Sequence, residues 1–355
     1  MSESFTGTTP VREGHRFDET ALRDWFLDHV DGSARRAFAL SQFKGGQSNP
    51  TFLVATAERR YVLRRKPMGE LLPSAHAVDR EFRVMRALEG TGVPVPRMHA
   101  LCEDEAVIGS AFYVMDFVEG RILWDPKLPG VSNAERAAVC DDMNRVIAAL
   151  HEVDVQAAGL ADYGRSGRYV ARQIDRWSRQ YRASETERIE AMEQLMDWLP
   201  ARQPPDSATR LVHGDYRLDN LVFATDAPRV VAVLDWELST LGDPLADFAY
   251  HCMAWQLPPP FRGLGDLDDA GLRALGLPTV PDYLHRYLAR RSLPAIDAAT
   301  WQFYGAFNLF RAAAIAQGIM GRALAGNASN PHALEAGRQA RQLAELGWRH
   351  ARAAG

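Results

Sequence analysis

The hydrophobic pattern changes once along the chain, after Glu119-Gly120, and this change constrains the fold more than any other feature. Before it, five runs have the alternation and the β-branched or aromatic content of strands: residues 38–43, 51–56, 61–64, 98–102 and 111–117. After it, amphipathic helical patterns dominate, interrupted by short strand-like runs at 221–223 and 230–234. The sequence therefore predicts a bilobal α+β fold, with a small antiparallel β lobe followed by a large, mostly helical lobe.

Domain boundaries follow from the same pattern. Residues 1–16 are polar and have no periodicity, so we predict a flexible arm there. Residues 17–118 are the predicted N-terminal lobe, which contains one key helix that Ser74 caps and Gly90 ends. A hinge at about 115–120 then leads into the C-terminal lobe, residues 119–355.

Composition excludes several classes of protein. The chain has 41 Lys and Arg against 45 Asp and Glu, and its net charge of -4 creates no field that would recruit nucleic acid or an anionic membrane. Three distant cysteines without a CxxC exclude a disulfide framework and a cysteine-built zinc site, and they favour a cytoplasmic location. Asn308 and Arg311 interrupt the longest apolar run, 298–321, which predicts a buried helix instead of a membrane span. No P-loop, GxGxxG, GxSxG or HExxH motif occurs.

The stretch LVHGDYRLDN, residues 211–220, carries the chemistry together with a later aspartate. Asp215 is followed by Asn220, and a strand-like run ends at Asp235. Phosphoryl transfer from ATP needs one carboxylate that accepts the proton of the attacking hydroxyl, and an amide oxygen with a second carboxylate that hold Mg²⁺. Either stretch alone is explained equally well by turn residues and a strand-end cap, but the combination predicts phosphoryl transfer. His213 is expected to hold the loop in shape, because Asp215 is the better placed proton acceptor.

Candidate nucleotide-binding residues lie upstream. One turn supplies backbone amides and a hydroxyl that could cover phosphates, although alone it is better explained as an ordinary hairpin: Gly45, Gly46, Gln47 and Ser48. Arg64 shares a strand face with Val62, so its cation could point toward the ligand, and Lys66 has the same parity and competes with it. The carbonyl of Asp116 and the amide of Val118 could bind an adenine, unless this run is a plain edge strand.

Glu81 lies on the apolar stripe of its predicted helix, between Val78 and Met85. A carboxylate that faces a core needs a partner. Arg64 is the natural one, because a pair at roughly 4 Å gains about 4 kcal/mol before desolvation is subtracted. The alternative is a glutamate at the edge of the stripe that reaches water.

Seven motifs resemble those of the aminoglycoside phosphotransferase and choline kinase-like family, which shares the protein-kinase fold: GGQSN, YVLRRKP, DREFRVMRAL, FYVMDFVEG, LVHGDYRLDN, AVLDWE and LGDPLADFAY. The resemblance implies an ATP- and Mg²⁺-dependent kinase that phosphorylates a small-molecule hydroxyl. It implies Asp215 as the catalytic base, Asn220 and Asp235 as magnesium ligands, and Arg64 with Glu81 as the pair that positions phosphates. The most similar subgroup accompanies acyl-CoA dehydrogenases, which implies a hydroxy acid or hydroxyacyl-CoA acceptor and a functional link to such a dehydrogenase.

The chain departs from the family pattern at three places. Arg64 stands where many kinases have lysine, but its fork suits phosphate oxygens. Glu237 lies where Asp-Phe-Gly would have its glycine, and the short segment after it leaves no room for an activation loop, which argues against protein substrates. Asp243 and Asp247 could form a two-carboxylate metal site, whereas the resemblance implies a helix cap and a loop brace.

Residues 164–182 carry six arginines against one acid, Asp175, which predicts an anionic or neutral acceptor and not a polycation. The alternative is a solvated helix face. Three residues are candidates for substrate binding: Arg168, Arg217 and Glu237. An aminoglycoside- or choline-type kinase stays an alternative, as does a nucleotide-binding pseudokinase that partners an acyl-CoA dehydrogenase, although the intact Asp215 and Asp235 argue against loss of activity.

Overall fold

The computed structural model describes residues 7–45, 49–68, 77–326 and 332–355, and the chain divides into two compact units. Unit 1 comprises Met1–Trp124, Gln156–Leu160 and Arg217–Ser239. Unit 2 comprises Asp125–Val155, Ala161–Tyr216 and Thr240–Gly355. The segment Arg217–Ser239, which follows the predicted hinge in the sequence, thus groups with the first unit.

Unit 1 is built on a six-stranded antiparallel sheet in the order β1-β2-β3-β4-β6-β5. Its strands are β1 Thr8–Thr9, β2 Phe38–Phe43, β3 Thr51–Thr56, β4 Arg60–Arg65, β5 Met98–Cys102 and β6 Phe112–Asp116. In the part of unit 1 that the structure describes, three α-helices accompany them: α1 Glu19–His29, α2 Val78–Leu88 and α3 Glu105–Ile108. All five strands that the alternation predicts are present.

One face of this sheet is covered by α1. Asp18 caps the helix, because its carboxylate accepts from the amides of Thr20 and Ala21. Leu22 and Phe26 are fully buried in a core with side chains of β3, β4, α3 and β6: Phe52, Val54, Tyr61, Leu63, Ile108, Phe112 and Val114. The strand residues alternate between this face and the opposite one, which is why one apolar face fixes the register.

The prediction of a flexible arm over residues 1–16 is wrong for residues 7–16, the part of the arm that the structure describes. Thr8 and Thr9 pair with Phe43 and Gln42 as strand β1. The buried Gln42 side chain also accepts from the amide of Arg12 at 3.0 Å. Contacts over thirty residues leave no periodic signal in a polar segment, so the pattern could not show them. Ser74, the predicted cap of α2, lies outside the described residues.

Unit 2 is mostly helical, with β7 Arg210–Val212 paired to β10 Thr240–Gly242. Its helices are α4 Asn133–His151, α5 Tyr169–Ala183, α6 Glu190–Ala201, α7 Pro244–His251, α8 Asp269–Ala274, α9 Val280–Arg290, α10 Ala298–Leu324 and α11 Ala333–Ala354. The hairpin of β8 Leu221–Phe223 and β9 Val230–Val233 belongs to unit 1.

The core of unit 2 surrounds α10, which corresponds to the long apolar run of the sequence. Phe303, Phe307 and Phe310 are buried against α6 and α11, as predicted for a buried helix. A Cβ on Gly337 of α11 would lie 2.6 Å from that of Met320, so this glycine permits the close approach of the two helices. Within the described ranges, each helix falls short of the length or the apolar content that crossing a membrane requires.

Candidate active site

Arg64 and Glu81 form a buried ion pair in unit 1. Arg64 lies near the end of β4 and Glu81 in the first turn of α2, and their side chains are 12% and 1% exposed. Nε of Arg64 is 3.0 Å from Oε2 of Glu81, although its N–H is not aligned as a hydrogen bond. Burial lowers the pKa of Arg64, but the nearby groups, with Glu81 foremost and Tyr113, Asp235 and Glu237 after it, together outweigh this effect and hold that pKa above its ordinary value. Arg64 is therefore the partner of Glu81, as the stripe position predicts.

Two further side chains, which sequence reasoning missed, complete the surroundings of Glu81. Nδ2 of Asn49 donates to Oε1 at 2.9 Å, and the hydroxyl of Tyr113 donates to Oε2 at 3.0 Å. Both side chains are buried, so the alternative of a glutamate that reaches water is wrong. Asn49 precedes β3 and Tyr113 lies in β6, so the carboxylate of α2 joins three segments of the unit. Asn49 lies in the motif GGQSN and Tyr113 in FYVMDFVEG, and these positions were the available signal for both residues.

Asp235 also binds Arg64. Its Oδ1 accepts from Nη2 at 2.7 Å, and Oε2 of Glu237 lies 3.6 Å from the same nitrogen. Asp235 has φ 64° and ψ 61°, a left-handed conformation that costs a residue with a Cβ about 1–3 kcal/mol. The chain thus holds this carboxylate beside the cation at a cost in backbone energy.

Asn220 and Asp235 lie at the same end of the β8–β9 hairpin. Leu221 pairs with Val233, and the amide of Leu234 donates to the carbonyl of Asn220 at 2.9 Å. One amide oxygen and one carboxylate are the hard oxygen donors that Mg²⁺ prefers, so the donor set fits that ion. Among the residues described, no group of three or more His, Cys, Asp or Glu side chains could hold a metal.

The structure describes some of the candidate nucleotide-binding residues and not others. Gly45 follows β2, whereas Gly46, Gln47 and Ser48 lie outside the described residues. Asp116 ends β6, which lies between β4 and β5, so the alternative of a plain edge strand is wrong. The carboxylate of Asp116 accepts from His99 at 2.7 Å, and Val118 follows two residues later.

In unit 2, Asp247 holds the loop that contains the His-Gly-Asp sequence. Its carboxylate accepts from the amides of His213 and Gly214, each at 2.8 Å, and from Nε2 of His151 at 3.2 Å. Burial raises the pKa of Asp247, but its hydrogen bonds, that from His151 foremost, outweigh this effect and hold the pKa below its ordinary value. The structure thus supports the interpretation of Asp247 as a loop brace.

Asp243 binds the backbone of its own helix and not that of the loop. It caps α7, and its carboxylate accepts from the amides of Leu245 and Ala246 at 2.8 Å and 3.1 Å. Because Asp243 and Asp247 bind different backbone segments, they do not form the two-carboxylate metal site that their spacing allowed. The cap and the brace implied by the family resemblance describe this helix correctly.

The side chain of Asp215 is held by a residue that sequence reasoning missed. The hydroxyl of Tyr250 donates to Oδ1 of Asp215 at 2.5 Å. The amide of Asp215 donates to Nδ1 of the buried His213 at 3.2 Å, so His213 holds the loop in shape, as predicted. Tyr250 follows Asp247 by one helical turn, and that spacing was the available signal.

The arginines of residues 164–182 mostly make local contacts. Arg172 donates to the carbonyl of Arg165 at 2.7 Å, Arg179 pairs with Asp175, and Arg182 binds a glutamate of α6. This pattern favours the solvated helix face over a ligand-binding cluster. Arg168 precedes α5 in a left-handed conformation, and its side chain is exposed.

Arg217 lies outside this cluster, in unit 1, where it forms an ion pair with Asp219 at 3.3 Å. Its side chain is about half exposed, whereas that of Asp219 is largely covered. Of the candidate substrate-binding residues, Arg168 belongs to unit 2, and Arg217 and Glu237 belong to unit 1.

The six-stranded antiparallel sheet and the mostly helical second unit are those of a kinase-like fold. The sequence profile of the phosphotransferase enzyme family matches residues 39–286. The chain therefore belongs to the phosphotransferase enzyme family. It is an enzyme, a small-molecule kinase that acts on hydroxyl groups.

Solved structures share the fold over nearly the whole chain. A proposed aminoglycoside phosphotransferase from Ralstonia eutropha JMP134 is 54% identical, with a TM-score of 0.86 over 95% of this chain and 99% of that one. A thermostable mutant of the aminoglycoside phosphotransferase APH(4)-Ia, in a ternary complex with AMP-PNP and hygromycin B, is 18% identical, with a TM-score of 0.60 over 93% of this chain and 98% of that one. The α+β fold is thus kinase-like, as predicted.

A curated relative is named as an acyl-CoA dehydrogenase family member and not as a phosphotransferase. Acyl-CoA dehydrogenase family member 10 of Mus musculus is 47% identical over 341 residues, which are 96% of this chain. The match spans 32% of the mouse protein, so this chain corresponds to about a third of that relative's length.

Proposed function

We propose that the chain transfers the γ-phosphoryl group of ATP to a hydroxyl of a small acid or its thioester. The observation that carries this proposal is the bonding of Arg64, which binds the buried Glu81 and also Asp235 at the end of the β8–β9 hairpin. A cation held in this way has one fixed position from which to bind phosphate oxygens. The solved relative that binds AMP-PNP supports ATP as the donor.

Each candidate residue has a role in this reaction. Asp215 accepts the proton of the attacking hydroxyl, whose oxygen bonds to the γ-phosphorus while the bond to the β–γ bridging oxygen breaks and ADP leaves. Arg64, oriented by Glu81, holds the α- and β-phosphates. Residues 116–118 bind the adenine.

Asn220 and Asp235 would hold Mg²⁺. Their amide and carboxylate oxygens suit this ion, and the hairpin joins them at one end. When bound, Mg²⁺ neutralises charge on the phosphates. Because two side chains leave its coordination incomplete, we expect phosphate oxygens to complete it and magnesium to bind together with the nucleotide.

The acceptor that we propose is a hydroxy acid or a hydroxyacyl-CoA. A groove of about 630 Å³ in unit 2 lies along α5 and α10, lined mainly by apolar and small residues, among them Trp177, Ala314, Ile315 and Gly318. Trp177 also contacts Arg311, which donates to the carbonyl of Gly214 beside Asp215. An apolar chain suits this lining better than a polycation does. The dehydrogenase names of the curated relatives support acyl chemistry and a functional link to such an enzyme.

A phosphate-transfer screen tests the proposal. The purified chain is incubated with ATP and Mg²⁺ and with hydroxy acids, hydroxyacyl-CoA thioesters, aminoglycosides or choline, and products are detected by mass. We expect a phosphorylated acid or thioester that requires Mg²⁺. Efficient phosphorylation of an aminoglycoside or choline would contradict the proposed acceptor. ATP binding without any phosphorylated product, combined with co-purification of an acyl-CoA dehydrogenase, would favour the pseudokinase.

A further inference from the structure

Helix α7 directs two side chains at the loop that contains Asp215. Asp247 and Tyr250 are three residues apart and therefore lie on one face of the helix. Asp247 binds the backbone of the loop, through the amides of His213 and Gly214. Tyr250 instead binds the side chain of Asp215, with its hydroxyl 2.5 Å from Oδ1. One helix face thus fixes both the backbone and the carboxylate.

Arg311 of α10 holds Tyr250 and the same loop. Its guanidinium carbon lies 5.0 Å from the centroid of the Tyr250 ring, within cation–π range. Nη2 of Arg311 donates to the carbonyl of Gly214 at 2.9 Å. Arg311 is 8% exposed, so a buried cation links the phenol ring to the residue before Asp215. The ring position of Tyr250 is therefore set by tertiary contacts as well as by its own helix.

We propose that Tyr250 is a positioning residue for Asp215, and that Arg311 holds Tyr250 in place. This inference rests on the proposed role of Asp215 as the base. A hydrogen bond from the phenol to a carboxylate oxygen is a short, strong one, and it restricts rotation of the carboxylate about its Cβ–Cγ bond. The proton of the attacking hydroxyl passes to Asp215, while Tyr250 keeps its own proton. Tyr250 thus acts on the reaction through the orientation of the base.

Tyr250→Phe tests the inference, because it removes the hydroxyl and keeps the ring that contacts Arg311. Water serves as the acceptor, so the rate of Mg²⁺-dependent ATP hydrolysis can be measured without knowledge of the natural substrate. A misplaced base costs about tenfold to a hundredfold in kcat. We expect that loss with the KM for ATP changed less than about twofold, since no nucleotide-binding residue is altered.

Tyr304→Phe is the matched control. It removes another tyrosine hydroxyl from unit 2, the one that donates to Oδ2 of Asp243 at 2.8 Å and thereby supports the cap of α7. We expect a lower melting temperature and a kcat close to that of the wild type. If Tyr304→Phe lowers kcat as much as Tyr250→Phe does, the effect reports the stability of α7 and the inference is wrong.

A double-mutant cycle with Asp215→Asn separates this inference from the proposed function. We expect Tyr250→Phe to have no further effect in the Asp215→Asn background, because its route to the reaction is then lost. If Asp215→Asn lowers kcat and Tyr250→Phe does not, or if the two effects simply add, the positioning role is overturned and the base assignment stands. If Asp215→Asn retains wild-type kcat, or if the wild type turns over no ATP, the proposed function falls and the inference with it.

Discussion

Nη2 of Arg64 donates a hydrogen bond of 2.7 Å to Oδ1 of Asp235, across 171 residues of sequence. The cation that we assign to the nucleotide phosphates thus neutralises the carboxylate that we assign to Mg²⁺. Bound phosphates would compete with Asp235 for Arg64, and bound magnesium would compete with Arg64 for Asp235. Because Glu81 contacts Nε, Arg64 keeps one carboxylate partner when the bond to Asp235 is exchanged.

The first prediction concerns magnesium without nucleotide. In Arg64→Met, Asp235 loses its neutralising partner, so we expect Mg²⁺ to bind more tightly than to the wild type, by about tenfold. ATP should bind more weakly, because a phosphate contact is lost. Isothermal titration measures both affinities. Arg36→Met, which removes an exposed arginine that pairs with Glu58, is the control and should change neither. Unchanged magnesium affinity in Arg64→Met would show that Asp235 does not bind the ion.

The second prediction concerns stability. Glu81→Gln removes the buried charge that balances Arg64, and we expect a loss of about 3 kcal/mol in the free energy of unfolding, measured with urea. Glu58→Gln removes an exposed partner of Arg36 and should cost less than about 1 kcal/mol. Equal losses in the two variants would mean that the buried pair contributes no more than a surface pair does.

The third prediction concerns the magnesium ligands. Asp235→Ala removes an anionic ligand and should abolish Mg²⁺-dependent ATP turnover, whereas Asn220→Ala removes a neutral ligand and should be severe but less so. Asp226→Ala alters an exposed residue between β8 and β9 and serves as the control, with turnover near that of the wild type. Full activity of Asp235→Ala with an unchanged magnesium requirement would place the metal elsewhere.

The fourth prediction concerns pH. Burial lowers the pKa of His251 to about 4 from its ordinary 6.5, while a hydrogen bond to the carbonyl of Tyr216 opposes the shift. The unfolded chain therefore binds a proton that the folded chain does not, and stability falls as the pH falls from about 6.5 to about 4, by about 3 kcal/mol.

His251→Gln should be less stable at neutral pH but should lose less stability over this window, as urea unfolding at several pH values would show. Burial also lowers the pKa of His350 to about 4. Because His350 is unchanged in the variant, it still contributes its own loss of stability as the pH falls. Parallel pH profiles of the wild type and the variant would contradict the assignment to His251.

Local patterns predicted the strands, the helices and the Arg64–Glu81 pair, because alternation and the apolar stripe fix which face each residue occupies. They could not predict the remaining partners. Asn49 binds Glu81 over 32 residues, Tyr250 binds Asp215 over 35, and Arg311 binds Gly214 over 97. Such contacts depend on tertiary packing: a motif or a helical spacing can mark Asn49 and Tyr250 as candidates, but no spacing rule identifies their partners at those separations.

The domain boundaries also show a limit of sequence patterns. The β8–β9 hairpin follows the helical pattern of the C-terminal lobe in the sequence, yet it groups with unit 1. The amide of Val233 donates to the carbonyl of Pro94 at 2.9 Å, and Arg121 pairs with Phe223. These backbone bonds join the hairpin to segments 139 and 102 residues earlier, which the change of pattern after Gly120 does not reveal.

The most direct test of the central claim is the transfer of radiolabelled γ-phosphate from ATP by the wild type and by Asp215→Asn, at saturating Mg²⁺ and with nucleotide affinity measured in parallel. Asp197→Asn, which alters an exposed aspartate of α6, is the control. The account predicts that kcat falls about 10²–10⁴-fold in Asp215→Asn while ATP affinity is little changed, since the variant loses the proton acceptor and keeps the phosphate-binding residues. Transfer by Asp215→Asn at close to the wild-type rate would contradict it.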